Sequence, residues 1–283
     1  MNLETSSNRT RIQLALIKEE WKIETRLGEI RKNTFGTDMQ IVAYRNAMDI
    51  DVKFLDKDGY IYQHTNYTNF KNGQIKNPYD RCIFGIGYLG EGDAQQKTQV
   101  GYCWRGMLER CYCDRMKKIH PAYYGISTVC EEWLNFQVFA RWYNENIYQV
   151  GTERMHLDKD ILVKGNKVYS PENCLIVPQR INMLFMNKPN KYGLPTGIKP
   201  STKGRFEAKY NGKYLGIYNT VEEAELAHEN EKRKAIKEVA EEYKPYIPDK
   251  VYKALLAWWF CLLKSQFKAK NVVENKRKIC YNI

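Results

Sequence analysis

None of the eight cysteines in this 283-residue chain belongs to a Cys-x-x-Cys pair. Cys111-Tyr112-Cys113 has the wrong spacing for a zinc knuckle, and Cys82, Cys103, Cys130, Cys174, Cys261 and Cys280 stand in apolar surroundings. No structural zinc is expected, and the thiols read as buried groups in a reducing compartment. Long apolar runs are missing too. The most apolar stretch, 251–263 (VYKALLAWWFCLL), is shorter than a membrane span and contains Lys253, so it reads as a buried helix. The opening MNLETSSNRTR is polar, with no apolar core before a cleavage site, and no secretory leader is expected. These absences predict a cytoplasmic protein with no membrane partner.

Acidic residues are scarce relative to basic ones. Lys and Arg number 45 against 33 Asp and Glu, a formal charge of +12. Such an excess points to a polyanionic partner, chiefly nucleic acid, because neutralising phosphates releases counterions. Apolar residues make up 43% of the chain, enough for real cores.

The pattern changes along the chain. From Asn8 to Lys32, Ile12, Leu16 and Ile17 among charges predict a short amphipathic helix. From Met39 to Tyr44 and from Asp49 to Leu55 apolar and polar residues alternate, and Asp58-Gly59, Asn72-Gly73 and Asn77-Pro78 mark turns. Several short strands in so few residues predict a small barrel over 28–84. Beyond a Gly-rich join at 85–96, Trp104, Met107, Leu108 and Cys111 share one helical face. Trp133, Phe136, Phe139 and Trp142 form an aromatic stripe at helical spacing, read as core rather than as a stacking surface for bases.

Between 192 and 243 three short strands precede a helix. Asn211-Gly212 between alternating residues is a hairpin signal, and Thr220 with Glu223 matches a capping box. From Lys191 to Lys213 there are six Lys or Arg and one acid, Glu207, while the helix carries the glutamates. A sheet with one face on the helix and the other basic is predicted.

The stretch 156–185, HLDKDILVKGNKVYSPENCLIVPQRINMLF, concentrates the candidate chemistry. An acid ends one strand, a polar loop follows, and an asparagine lies one helical turn beyond a second strand. Asp158 and Asn182 are oxygen ligands of the kind hard cations such as Mg²⁺ take, usually with water completing the shell. The Asn173 amide is placed to tie the loop to the second strand. An ordinary strand–turn–strand–helix with a surface Asp would carry the same spacing, and local sequence leaves both readings open.

Two resemblances bear on the choice. Residues 156–185, with LDKDI, YSPENC, VP and IN in order, resemble the HNH (ββα-metal) nuclease fold as found in phage and prophage proteins. Trp104-x-x-Met107-x-x-Arg110-Cys111 and Val129-Cys130-Glu131-Glu132-Trp133 look like its helical preface. Gly197-Ile198, Gly204-Arg205-Phe206-Glu207-Ala208-Lys209, Leu215-Gly216-Ile217-Tyr218 and Thr220-Val221-Glu222-Glu223-Ala224 resemble an AP2 DNA-binding domain. Together they cover roughly residues 100–245. They imply a metal-dependent DNA endonuclease, homing-like or a nickase, phage- or prophage-encoded and acting in a bacterial cytoplasm on double-stranded DNA, with Mg²⁺ or Mn²⁺ and no nucleotide cofactor. The alternative is a DNA-binding regulator that retains the nuclease core only as a scaffold.

The first resemblance puts the metal ligands at Asp158 and Asn182 and the structural asparagine at Asn173. Its general-base histidine falls on Lys159, and free lysine is protonated at neutral pH. Lys159 would then hold phosphate or polarise water, with His156, two residues earlier on the same strand face, as a second candidate base. The second resemblance implies DNA contacts from Lys199, Lys203, Arg205, Lys209 and Lys213. The expected fold class is α+β multidomain: an N-terminal helix or arm (1–27), a small SH3-like barrel (28–84), and a helical preface with the ββα-metal core (97–190). An AP2-like three-stranded antiparallel sheet on a helix (191–246) and a C-terminal helix with a basic tail (247–283) complete it.

Overall fold

The computed structural model describes residues 11, 13, 21, 24–119, 123–186 and 190–259. Among the described residues the architecture is mixed α+β with four small sheets. The chain forms two compact units, Met1–Gly125 with Glu131–Arg141, and Ile126–Cys130 with Trp142–Ile283. Among the described residues no helix is long and apolar enough to cross a membrane. The basic tail expected beyond 264 and most of the expected N-terminal helix lie outside the described residues.

The first unit begins with an antiparallel meander, β1 (Ile30–Lys32), β2 (Asp38–Asn46), β3 (Asp49–Phe54) and β4 (Ile61–Thr65), in that spatial order. Residues 30–32, expected to end a helix, are its first strand. The expected SH3-like barrel does not close, since β1 and β4 are both edges. β1 has only three residues to pair with, and the apolar face is closed by a helix instead. In α1 (Tyr67–Lys71), capped by the Asn66 side chain, Phe70 is fully buried against Met39, Ile41, Ile50, Val52 and Phe54.

The rest of that unit is built on aromatics. α2 (Gln99–Tyr112) buries Trp104, Met107, Leu108 and Cys111, the face that its periodicity predicts. α3 (Met116–Ile119) is a single turn after it. Trp104 packs on Phe136 with ring centroids 5.1 Å apart and donates its Nε1–H to the Trp133 carbonyl at 2.7 Å. Trp133, Phe136 and Phe139, the last two in α4 (Phe136–Asn146), are completely buried. These three rings of the stripe are core, which excludes stacking bases on them, while Trp142 is half-buried.

The second unit holds a ββα arrangement and a three-stranded sheet. β5 (Thr128–Val129) pairs in parallel with β7 (Val168–Tyr169). β6 (Met155–Asp158) pairs antiparallel with β8 (Leu175–Pro178), in register from Met155↔Pro178 to Asp158↔Leu175. α5 (Gln179–Leu184) follows directly. Then β9 (Ile198–Pro200), β10 (Phe206–Tyr210) and β11 (Lys213–Tyr218) form an antiparallel sheet of order β11-β10-β9. Asn211 and Gly212 turn the β10–β11 hairpin with φ of 44° and 82°, the left-handed pair that a type I′ turn needs.

One helix serves both cores. α6 (Val221–Tyr243) starts at Thr220, whose Oγ1 accepts from the Glu223 N–H at 3.2 Å, while Glu223 accepts from the Asn219 N–H at 3.1 Å. Its first turn lays Ala224 on Ile198 and Ala208 of the sheet. Its last turns place Ile236, Val239, Ala240 and Tyr243 among Ile161, Leu175, Val177 and Ile181 of the ββα arrangement. At 1.5 Å per residue the helix is about 34 Å long. The next helix, α7 (249–259), adds Val251, Ala254 and Leu255 to that second core, as its apolar run predicts.

Candidate functional site

β6 ends in His156, Leu157 and Asp158. Alternation puts His156 and Asp158 on one face of the strand, and α5 brings Asn182 to the same place. The amide Nδ2 of Asn182 lies 2.9 Å from Nδ1 of His156. With the amide donating, the neutral ring carries its proton on Nε2. Asn182 therefore holds its Nδ2 against the histidine, which fixes the direction of its Oδ1.

Asp158 is anchored through one oxygen only. Its Oδ1 accepts from the N–H of Asp160 and of Ile161, each at 2.8 Å. No described group donates to Oδ2. Burial pushes the Asp158 carboxyl above its ordinary range, and the two N–H donors counter this only partly. A carboxylate whose charge is disfavoured by desolvation gains more than an exposed one from a nearby cation.

Lys159 points elsewhere. Its side chain is only 5% exposed, and its ammonium donates to Asp160 Oδ2 and the Asn166 carbonyl, both at 2.8 Å. Tyr169 lies beneath it, the ring centroid 5.8 Å from Nζ. Being next to Asp158 in sequence puts Lys159 on the other side of the strand end. It is enclosed in the loop that it clips together, not presented beside Asp158.

The loop is tied by an asparagine, but not by Asn173. Asn166 donates from Nδ2 to the carbonyls of Lys159 and Val168, at 2.9 and 2.7 Å, and its Oδ1 accepts from the Val168 N–H. The Asn173 side chain makes no hydrogen bond among the described residues; only its N–H is used, donating to the Ser170 carbonyl. The signal for Asn166 was present as Gly165-Asn166, a turn dipeptide closing the loop on Lys159.

The second candidate surface is the sheet face turned away from α6. Glu207 stands opposite Lys199 and Ile217, and Lys209 opposite Tyr214. Alternation along β10 adds Arg205, whose Nε is enclosed with no described acceptor. Lys203 lies in the β9–β10 turn at φ 58°. Lys213 faces the other way and pairs with Glu231 of α6. The cause is a bulge: Ala208 opposes Gly216 but Lys209 opposes Tyr214, so Leu215 is an extra residue. It puts Tyr214 on the outer face, at 55% exposure, and Lys213 on the α6 side.

Two other features are less suited to the candidate chemistry. In the first unit Asp49, Asp51 and His64 offer ligand atoms within 4.8 Å of one another. Arg45 already bridges the two acids, with Nη1 3.0 Å from both and Nη2 2.6 Å from Asp51. A guanidinium thus occupies the place of a cation. A cleft of about 860 Å³ opens between the ββα arrangement and the three-stranded sheet. Arg154, Arg180 and Lys232 line it together with Glu153, Glu238 and Glu242, so it has no single sign of charge, and it excludes His156, Asp158 and Asn182.

No family model, curated protein or solved structure matches the chain.

Proposed function

We propose that this chain is a DNA-binding protein whose ββα core takes a divalent cation and hydrolyses phosphodiester bonds, an endonuclease of the HNH type. The observation that carries the reading is the Asn182–His156 contact beside Asp158. Beside that contact two oxygens, Asp158 Oδ2 and Asn182 Oδ1, have no donor among the described residues. Such a donor set fits Mg²⁺ or Mn²⁺, which prefer oxygen and keep part of their water. When bound, the cation would stabilise charge on the phosphate and lower the pKa of water. Asp158 and Asn182 would hold it, with His156 orienting the Asn182 amide and Lys159 maintaining the loop. The three-stranded sheet supplies the DNA contacts, with Lys199, Arg205 and Lys209 on its outer face and Lys203 at its turn.

A second reading, a DNA-binding regulator without cleavage, is favoured by the burial of Lys159, which removes that residue from proton transfer. Incubation of supercoiled plasmid with the full chain separates the two. Nicked or linear product with Mg²⁺ or Mn²⁺, absent with EDTA, supports the enzyme. Retained plasmid without cutting supports the regulator, and neither retention nor cutting removes both.

A further inference from the structure

Glu207 is the one acid on the outer face of the three-stranded sheet, among Lys199, Arg205, Lys209, Tyr214 and Ile217. Its Oε1 lies 3.3 Å from the Lys199 ammonium and 3.1 Å from that of Lys209. No described group donates to Oε2. The two lysines hold the carboxylate in its charged form. A carboxylate at the middle of a basic face opposes phosphate, so as a backbone contact it is a defect. It makes sense against a hydrogen-bond donor, and in the major groove the donors are the exocyclic amines of adenine and cytosine.

The neighbours of Glu207 distinguish these two. Lys199, across on β9, and Lys209, two residues along β10, bring two donors to the one acceptor Glu207. The edge of an A·T pair presents acceptor (adenine N7), donor (adenine N6), acceptor (thymine O4) and then the thymine methyl. The edge of a C·G pair places its donor at one end, beside two acceptors. Ile217, directly opposite Glu207 and 39% exposed, adds an apolar group to the row. With strands about 4.8 Å apart the row Lys199–Glu207–Ile217 spans about 10 Å, within the roughly 12 Å width of the major groove.

We propose that the Lys199–Glu207–Lys209 triad with Ile217 reads an A·T base pair in the major groove. Glu207 accepts from adenine N6, the lysines donate to N7 and O4, and Ile217 meets the thymine methyl. This rests on the DNA-binding part of the proposed function and is independent of cleavage.

The test is enrichment of the full-length protein's targets from a randomised duplex pool, for wild type, Glu207→Ala and Glu207→Gln. Wild type is expected to select A·T at one position by about 5- to 100-fold, the range of a good base contact. Glu207→Ala should lose that preference while binding mixed-sequence DNA at least as well, because a negative charge is removed. Glu207→Gln should keep it, since glutamine also pairs with adenine. A wild-type preference that survives Glu207→Ala unchanged, or a lost preference that was for C·G, overturns the inference alone. Wild-type protein that binds no duplex overturns the DNA-binding reading and the inference with it.

Discussion

The side-chain amide of Asn182 meets Nδ1 of His156 at 2.9 Å, across the junction of α5 and β6. That contact joins α5 to the strand that ends in Asp158 and sets the orientation of an amide oxygen that has no described donor. His156 is thus a positioning residue for Asn182. Outer partners of this kind typically change metal affinity or activity by about 10- to 100-fold when lost. His156→Ala should weaken Mn²⁺-dependent thermal stabilisation by a factor in that range while the apo protein still melts cooperatively. Unchanged Mn²⁺ dependence would remove the positioning role.

Lys159 is expected to behave as a structural residue. Lys159→Ala strips a charge-assisted donor from Asp160 and from the Asn166 carbonyl, and should lower stability by about 1–3 kcal/mol in denaturant titration. Lys159→His should not raise cleavage, because the side chain at 159 is enclosed by the loop. A gain in cleavage on Lys159→His would show that position 159 does reach the reacting phosphate.

Gly197 is required by its surroundings. Its φ is 78°, and a Cβ there would lie 2.3 Å from both His228 Nδ1 and the Lys209 carbonyl oxygen. His228 in turn sits 2.8 Å from that same carbonyl and edge-on to Tyr210. Gly197→Ala is expected to cost more than about 1 kcal/mol and to loosen the sheet on α6. Protection of the β10 amides in hydrogen exchange is the readout, and wild-type protection would contradict it.

The first unit has its own pH signature. Hydrogen bonds from Arg45, and then from the His64 N–H, pull the Asp51 carboxyl down to about 2. A folded pKa below the unfolded value of about 3.9 stabilises the fold above the unfolded pKa, and this is lost as pH falls from about 4 through about 2. Asp51→Asn should therefore destabilise the meander at neutral pH, with the gap to wild type closing below about pH 2. A gap that stays constant across that window would show that the ion pair contributes nothing.

The parts of the fold that were legible in sequence are those specified by neighbours in the chain. Asn211-Gly212 makes its hairpin because the turn itself needs left-handed residues. Thr220 and Glu223 start α6 because their side chains satisfy the first N–H groups. The aromatic periodicity at 133–139 marks core for the same local reason. Barrel closure was not legible, since it depends on whether a remote strand or Phe70 covers the apolar face. Lys213 illustrates the limit within a strand. Its side follows from one extra residue at Leu215, which counting basic residues does not register. At the ββα core residue type marked Asp158 and Asn182 only as candidates, while the tie of the loop passed from Asn173 to Asn166, because the bond reaches seven residues back to Lys159.

The most direct measurement compares plasmid cleavage by wild type, Asp158→Ala and Asn182→Ala with Mn²⁺, each checked for intact folding and DNA retention. Wild type is expected to cut only with the cation and both variants to lose about 100-fold or more, the scale of a deleted electrostatic group at a reacting centre. Cutting by Asp158→Ala at the wild-type rate, or no cutting by wild type with either Mn²⁺ or Mg²⁺, would contradict that expectation.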